Sequence, residues 1–249
     1  MDSLIVNRSF LTDISNNLRL SLNEDQYYTI EEISNKIKSP SEYNYDFICK
    51  YIGDPVELYS LNIPDGITSI NSNAFGKRIY LSSINLPNSV TSIGEYAFNG
   101  CSSLANITIP EDVISIEGYA FYNCSSLSSI TLPESLTSIG TNTFRGCTSL
   151  SSINIPEGIT SIGTSTFNGC TALSNISIPN SVTSIGEYAF RNCSSLSSIT
   201  LPESIVSIGA NAFSGCTNLV TINVPWAEGA VANAPWGATN ATINYNYTG

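Results

Sequence analysis

Apolar and polar positions recur along most of the chain with a period of 23 residues. Proline marks the phase, at Pro64, Pro87, Pro110, Pro133, Pro156, Pro179, Pro202 and Pro225. Phenylalanine keeps it at Phe75, Phe98, Phe121, Phe144, Phe167, Phe190 and Phe213. Cysteine keeps it at Cys101, Cys124, Cys147, Cys170, Cys193 and Cys216, with Arg78 in the cysteine place of the first copy. The segment NSVTSIGEYAF stands unchanged at 88–98 and 180–190, four periods apart. About seven copies of the consensus L-x-x-I-x-[ILV]-P-x-x-[ILV]-x-S-I-x-x-x-[AT]-F-x-x-C-[ST]-x cover residues 58–225.

The pattern within one copy predicts its elements. Ile107 and Ile109 alternate with Asn106 and Thr108, so the isoleucines face inward and their polar neighbours outward on a half-buried strand. Proline cannot donate to a ladder and ends that strand. A second apolar pair, such as Val90 and Ile93, gives a short second edge. In S-I-G-x-x-A-F the chain turns, with Gly available for a positive φ. Phe then fills the interior, and the Cys-Ser/Thr corner returns to the next strand. One copy cannot bury its own apolar edge. Copies stacked as parallel strands about 4.8 Å apart build ladders of Ile, Phe and Cys and one continuous core.

Read in one register, Leu104, Ile107, Ile109, Pro110, Val113, Ile116, Ala120, Phe121 and Cys124 resemble the BspA-type leucine-rich repeat. The resemblance implies an α/β solenoid: a right-handed leucine-rich-repeat solenoid with a concave parallel β-sheet. It implies no activity by itself. The flanks read differently. Residues 1–57 predict a small helical module. Ser9 caps a first helix to about Leu20, and Thr29 with Glu32 forms a capping box ahead of Ile30, Ile33 and Ile37. Ser39-Pro40 stops that second helix. Such a module would cover the open core of the first repeat. Asp13, Ile14, Leu18, Arg19, Thr29, Glu32, Ile33 and Ile37 also resemble a helix-loop-helix segment of bacteriophage tail and virion-associated proteins, with Ile30 departing from the usual small residue or proline. Residues 226–249 are similar to the terminal segment of BspA-type proteins from gut bacteria and their phages. Trp226 and Trp236 are expected to plug the last turn, and the Asn-Tyr-Asn-Tyr ending to pair with the last repeat.

Composition narrows the function. Only 12% of residues are charged, against roughly 25% in an average domain. Twenty acids, nine bases and no histidine give a net charge of -11. That balance disfavours nucleic acid and anionic membrane surfaces as partners. Without histidine, Ser-His-Asp and Cys-His chemistry is excluded within the chain. MDSLIVNRSFLTDIS shows no signal-peptide pattern. No run approaches the ~18 apolar residues of a membrane span, so no insertion is expected. Sequons at Asn106, Asn123, Asn175 and Asn192 fall inside the repeats, where packing would leave glycans little room.

The candidate chemistry follows the columns. The repeat cysteines lack the close pairs of metal sites and read as a buried column of small apolar side chains. Cys49 is a lone thiol with no histidine to activate it. The concave face carries Asn106, Ser129, Ser152 and Asn175 in one column and Thr108, Thr131 and Asn154 in the next. These could meet a polysaccharide, or form a soluble β-surface with cross-strand hydrogen bonds. Glu111, Glu134 and Glu157 follow the prolines of successive copies. They are candidate calcium ligands, although solvated acids along an edge are the commoner case. Tyr96, Tyr119 and Tyr188 recur on the turning edge. Asn73, Asn142, Ser165 and Asn211 interrupt their column, so packing does not require them, and exposed tyrosine suits contact.

No catalytic constellation or cofactor is expected. The sequence points to a non-enzymatic binding or adhesion module, phage tail-associated or bacterial surface-associated, that recognises a host protein or glycan. Residues 1–57 offer a route to a homo-oligomer. The alternatives are an intracellular protein-interaction module or inhibitor of a bacterial enzyme, and a structural spacer of a virion. The virion or cell surface is the favoured location, with the cytoplasm the alternative.

Overall fold

The computed structural model describes residues 60–63 and 65–248. The expected helical module at 1–57, its phage-like segment, its oligomer contact and Cys49 lie outside the described residues. Each coil carries one three-residue and one two-residue strand. The three-residue strands are β1 (Ser60–Asn62), β3 (Ser83–Asn85), β5 (Asn106–Thr108), β7 (Ser129–Thr131), β9 (Ser152–Asn154), β11 (Asn175–Ser177), β13 (Ser198–Thr200) and β15 (Thr221–Asn223). The two-residue strands are β2 (Ser69–Ile70), β4 (Ser92–Ile93), β6 (Ser115–Ile116), β8 (Ser138–Ile139), β10 (Ser161–Ile162), β12 (Ser184–Ile185) and β14 (Ser207–Ile208). All pairing is parallel, between equivalent residues of adjacent coils: Asn106 faces Ser129 and Thr108 faces Thr131. The result is a right-handed-type parallel β-solenoid of about eight turns.

Among the described residues there is no helix, so this part of the chain is all-β rather than α/β. The side of the coil opposite the three-residue strands is a run of tight turns, for example over 95–100. Its backbone shows why no helix forms. Two residues in each turn are left-handed: the first is Asn73, Tyr96, Tyr119, Asn142, Ser165, Tyr188 or Asn211, at φ 56–58°, and the second, four residues on, is Lys77, Gly100, Asn123, Gly146, Gly169, Asn192 or Gly215, at φ 56–79°. A left-handed residue cannot continue a right-handed helix. The turns bond coil to coil instead, as in Phe98 N–H to Ala120 O at 2.8 Å and Gly100 N–H to Tyr122 O at 2.7 Å.

The glycine of S-I-G therefore serves a different purpose from the one its sequence suggests. The positive φ values fall two and six residues later, at Tyr96 and Gly100 for Gly94 and at their equivalents in the other turns. A β-carbon on Gly94 would stand 2.6 Å from Ser72 N and 2.9 Å from Ile70 O. Its role is close approach of one coil to the next.

The core consists of columns along the solenoid axis. The seven phenylalanines stack with centroids 5.2–5.6 Å apart and planes within 15°. Leu81, Leu104, Leu127, Leu150, Leu173, Leu196 and Leu219 are fully buried beside them. Burying each such side chain contributes about 1.5–3 kcal/mol. At the C-terminal end Trp236 stands one period beyond Phe213 and closes the ladder edge-on, 6.4 Å away at 66°. Its indole N–H donates to Ala232 O at 2.8 Å. Trp226 packs half-buried against the same core. The final strand, β16 (Thr242–Asn244), pairs in parallel with β15. It reaches only the first Asn of the expected Asn-Tyr-Asn-Tyr strand.

Candidate functional site

The structure distributes the sequence candidates over three separate surfaces. The first is the outer face of the three-residue strands. Asn106, Thr108, Ser129, Thr131, Ser152, Asn154 and Asn175 are all exposed there. β9 and β11 set Ser152 against Asn175 and Asn154 against Ser177. At the C-terminal end of this face, cross-strand side-chain bonds run from Asn223 Nδ2 to Thr200 Oγ1 at 3.2 Å and from Asn244 Nδ2 to Asn223 Oδ1 at 2.8 Å. Thr91, Thr137 and Thr183, on the segment leading into the two-residue strands, each donate to a carbonyl of the preceding coil at 3.0–3.2 Å.

The second surface is the corner after the prolines. Glu111, Glu134 and Glu157 lie there on successive coils, all exposed. Among the described residues no three Asp, Glu, Cys or His side chains converge on a point that could hold a metal ion. The sequons are a correction. Asn106, Asn123, Asn175 and Asn192 are all exposed, because each falls on an outward position rather than in the packed interior.

The third surface is the turn edge. Tyr96 and Tyr119 stack at 4.7 Å, and Tyr119 meets Tyr122 at 5.7 Å, tilted by 55°. The Arg145 guanidinium lies over Tyr122 at 5.6 Å and hydrogen-bonds Asn142 Oδ1 at 3.3 Å. Arg191 lies over Tyr188 at 5.3 Å. Each such cation–π contact is worth about 0.5–1 kcal/mol on an exposed edge. Loss of hydration, then Glu95 and Tyr119, raise the Tyr96 phenol above its ordinary value. The backbone here is costly. Tyr96, Tyr119 and Tyr188 all have φ 58°. The left-handed region penalises a residue with a β-carbon by roughly 1–2 kcal/mol, and Asn tolerates it best. Other turns place Asn73, Asn142 and Asn211 at this position.

The tyrosines and the strand-face residues lie on opposite sides of the core, so the structure does not unite them into one site. It adds Arg145 and Arg191, whose place in a column with Tyr122, each directly after a ladder phenylalanine, was visible in the spacing.

The cysteine column is structural and more specific than its spacing implied. Each thiol donates to the carbonyl of the phenylalanine 26 residues earlier, at 3.0–3.2 Å. Burial pushes Cys101 and Cys170 up to about 12, and Cys124 and Cys147 well up. These thiols stay protonated at neutral pH and are poor nucleophiles.

A model of the BspA-type leucine-rich repeat region, in six copies, matches residues 48–173 and 114–230. The chain is 34% identical to a leucine-rich cell surface protein of Faecalibacterium prausnitzii A2-165, with a TM-score of 0.61, over 67% of this chain and 47% of that one. It thus spans about half the length of that protein. It is 33% identical to the leucine-rich repeat protein of T. pallidum, with a TM-score of 0.63, over 68% of this chain and 80% of that one. No curated protein matches the chain.

Proposed function

From the premise that the chain belongs to the BspA-type leucine-rich repeat family, we propose that it is a non-catalytic recognition module of the surface or adhesion type. The carrying observation is how the coil divides its chemistry. The repeat Phe, Leu and Cys side chains go into the core, the Cys101, Cys124, Cys147 and Cys170 thiols are held protonated by burial, and the polar side chains form regular outward columns. Such a surface suits binding over many weak contacts. The exposed strand face, from Asn106 to Asn175, is the proposed contact for a polar ligand such as a glycan or a protein of the host. The F. prausnitzii relative is a cell surface protein, which supports the same location here.

Fluorescently labelled full-length protein tests the reading. Saturable labelling of bacterial or host-cell surfaces at micromolar concentration is expected. Protein that labels no cell, wall or glycan preparation at that concentration would end the adhesion reading.

A second reading draws on the segment from Asp13 to Ile37 with its likeness to phage tail proteins. In it residues 1–57 attach the solenoid to a virion or tail and bring copies together. Solution mass measurement is the test: a stable oligomer that becomes monomeric on deletion of residues 1–57 supports it, and a monomeric full-length chain refutes it.

A further inference from the structure

We propose that the turn edge formed by Tyr96, Tyr119, Tyr122, Arg145, Tyr188 and Arg191 is the docking edge for a protein partner that presents carboxylates to the two arginines. The inference rests on the recognition reading above and names the partner and the surface.

The backbone supplies the first argument. Three tyrosines occupy left-handed positions at φ 58°, where equivalent turns use asparagine or serine. Folding alone favours Asn at those positions. A bulky residue held in a disfavoured conformation without a packing need points to function.

Charge supplies the second. The described part of the chain carries ten acids and only four bases, yet neither Arg145 nor Arg191 forms an ion pair with a described carboxylate. Both are exposed, and both are held in place by a tyrosine ring. They stand two coils apart, about 10 Å along the axis. Tyr and Arg are the residues that dominate interface energetics, and a guanidinium fork suits a carboxylate.

Geometry separates a protein from a sugar. Stacking on a sugar needs open ring faces. Tyr96 and Tyr119 cover one face of each other, and arginines lie over Tyr122 and Tyr188. What remains outward is a row of phenol edges and guanidinium groups, suited to side-chain contacts. The partner does not add a strand, because the turn backbone is already engaged, as in Tyr96 N–H to Gly118 O at 3.1 Å and Tyr119 N–H to Thr141 O at 3.0 Å. Glu95 and Glu187 flank Tyr96 and Tyr188. The partner therefore carries its carboxylates over Arg145 and Arg191 and uncharged or basic groups beside the glutamates.

The test uses the full chain and a yeast-displayed random peptide library. Peptides selected on the wild type should be enriched in Asp and Glu, although a protein of net charge -11 attracts basic peptides non-specifically. Two variants are then compared: Tyr96→Asn/Tyr119→Asn/Tyr188→Asn and Arg145→Gln/Arg191→Gln. Each should weaken binding at least about tenfold, and the arginine pair should flatten the salt dependence. Val206→Thr, an exposed position on the two-residue-strand side, should bind as wild type. Denaturation midpoints of the tyrosine variant at or above wild type exclude misfolding as the cause. Selected peptides that are Lys/Arg-rich, or that bind both variants undiminished, overturn the proposal and leave the recognition reading intact. An empty selection also overturns it, and surface labelling of cells then decides recognition separately.

Discussion

Phe144→Ala should split the unfolding of this solenoid in two. Phe144 is the middle member of the seven-ring ladder, fully buried, with Phe121 and Phe167 each 5.6 Å away. Truncating a buried Phe costs about 3–5 kcal/mol. Two lost stacked pairs, at about 0.5–1.5 kcal/mol each, place this site at the upper end of that range. The whole domain is held by about 5–15 kcal/mol. In a solenoid each coil contacts only its neighbours, so the cost falls on two interfaces and not on the ends. The molecule offers two independent probes. Trp226 and Trp236 are the only tryptophans and sit in the C-terminal coil, three periods or more beyond Phe144. Circular dichroism reports all coils. In a urea titration of the variant, the dichroism transition should broaden and move to lower denaturant. The tryptophan transition should stay closer to wild type. Phe144→Leu keeps a bulky apolar group and should cost about 1–2 kcal/mol with the transitions still coincident. A Phe144→Ala loss below about 1.5 kcal/mol, with both probes superimposed, would refute the one-dimensional ladder reasoning.

Three further outcomes follow from the columns. The buried thiols make stability fall at alkaline pH: with Cys101 and Cys170 near 12 in the fold against 9.0 ordinarily, their contribution is complete below pH 9 and is lost as pH rises towards 12. Urea midpoints measured between pH 8 and 11 should decline, less steeply in Cys170→Ala, and a flat profile would contradict the burial of the thiols. In Cys49→Ser protein the six repeat thiols should be silent to a thiol reagent until denaturant is added, since all six are buried; rapid native labelling of several would contradict the column. Trp236→Ala removes the ring that closes the phenylalanine ladder and should cost about 3–5 kcal/mol, with amide protection lost first in β15 and β16; unchanged protection there would mean the ladder needs no terminal ring.

Much of the coil was legible in the spacing of Pro, Ile, Phe and Cys. The alternation at Asn106–Ile109 places the strand and its buried face, and proline places its end. Other features depend on contacts 22 to 26 residues away, which no local pattern reports. The thiol-to-carbonyl bond from Cys147 to Phe121 is one example. The glycine role is another: Gly94 reads as a turn residue, but it is needed because the preceding coil passes too close for a β-carbon. The α/β expectation missed for the same reason. The two left-handed residues in every turn forbid a helix, and tyrosine at the first of them gives no local sign of it. The candidate site was half legible. Tyr96, Tyr119 and Tyr188 stood out as a column, whereas Arg145 and Arg191 became notable only once stacked on Tyr122 and Tyr188.

By itself the sequence determined that this is a stacked-coil protein, because a strict 23-residue period lets identical side chains meet their copies one step along an axis. It also determined that six of the seven cysteines and all the ladder phenylalanines go inside. The tertiary structure alone decided which outward columns are already engaged and which remain free. Hydrogen bonding between coils is set by the coil's cross-section, and that depends on where the chain turns. Thr137 and Asn106 are equally polar in sequence. Thr137 is bonded to the coil before it, and Asn106 faces outward on the strand surface.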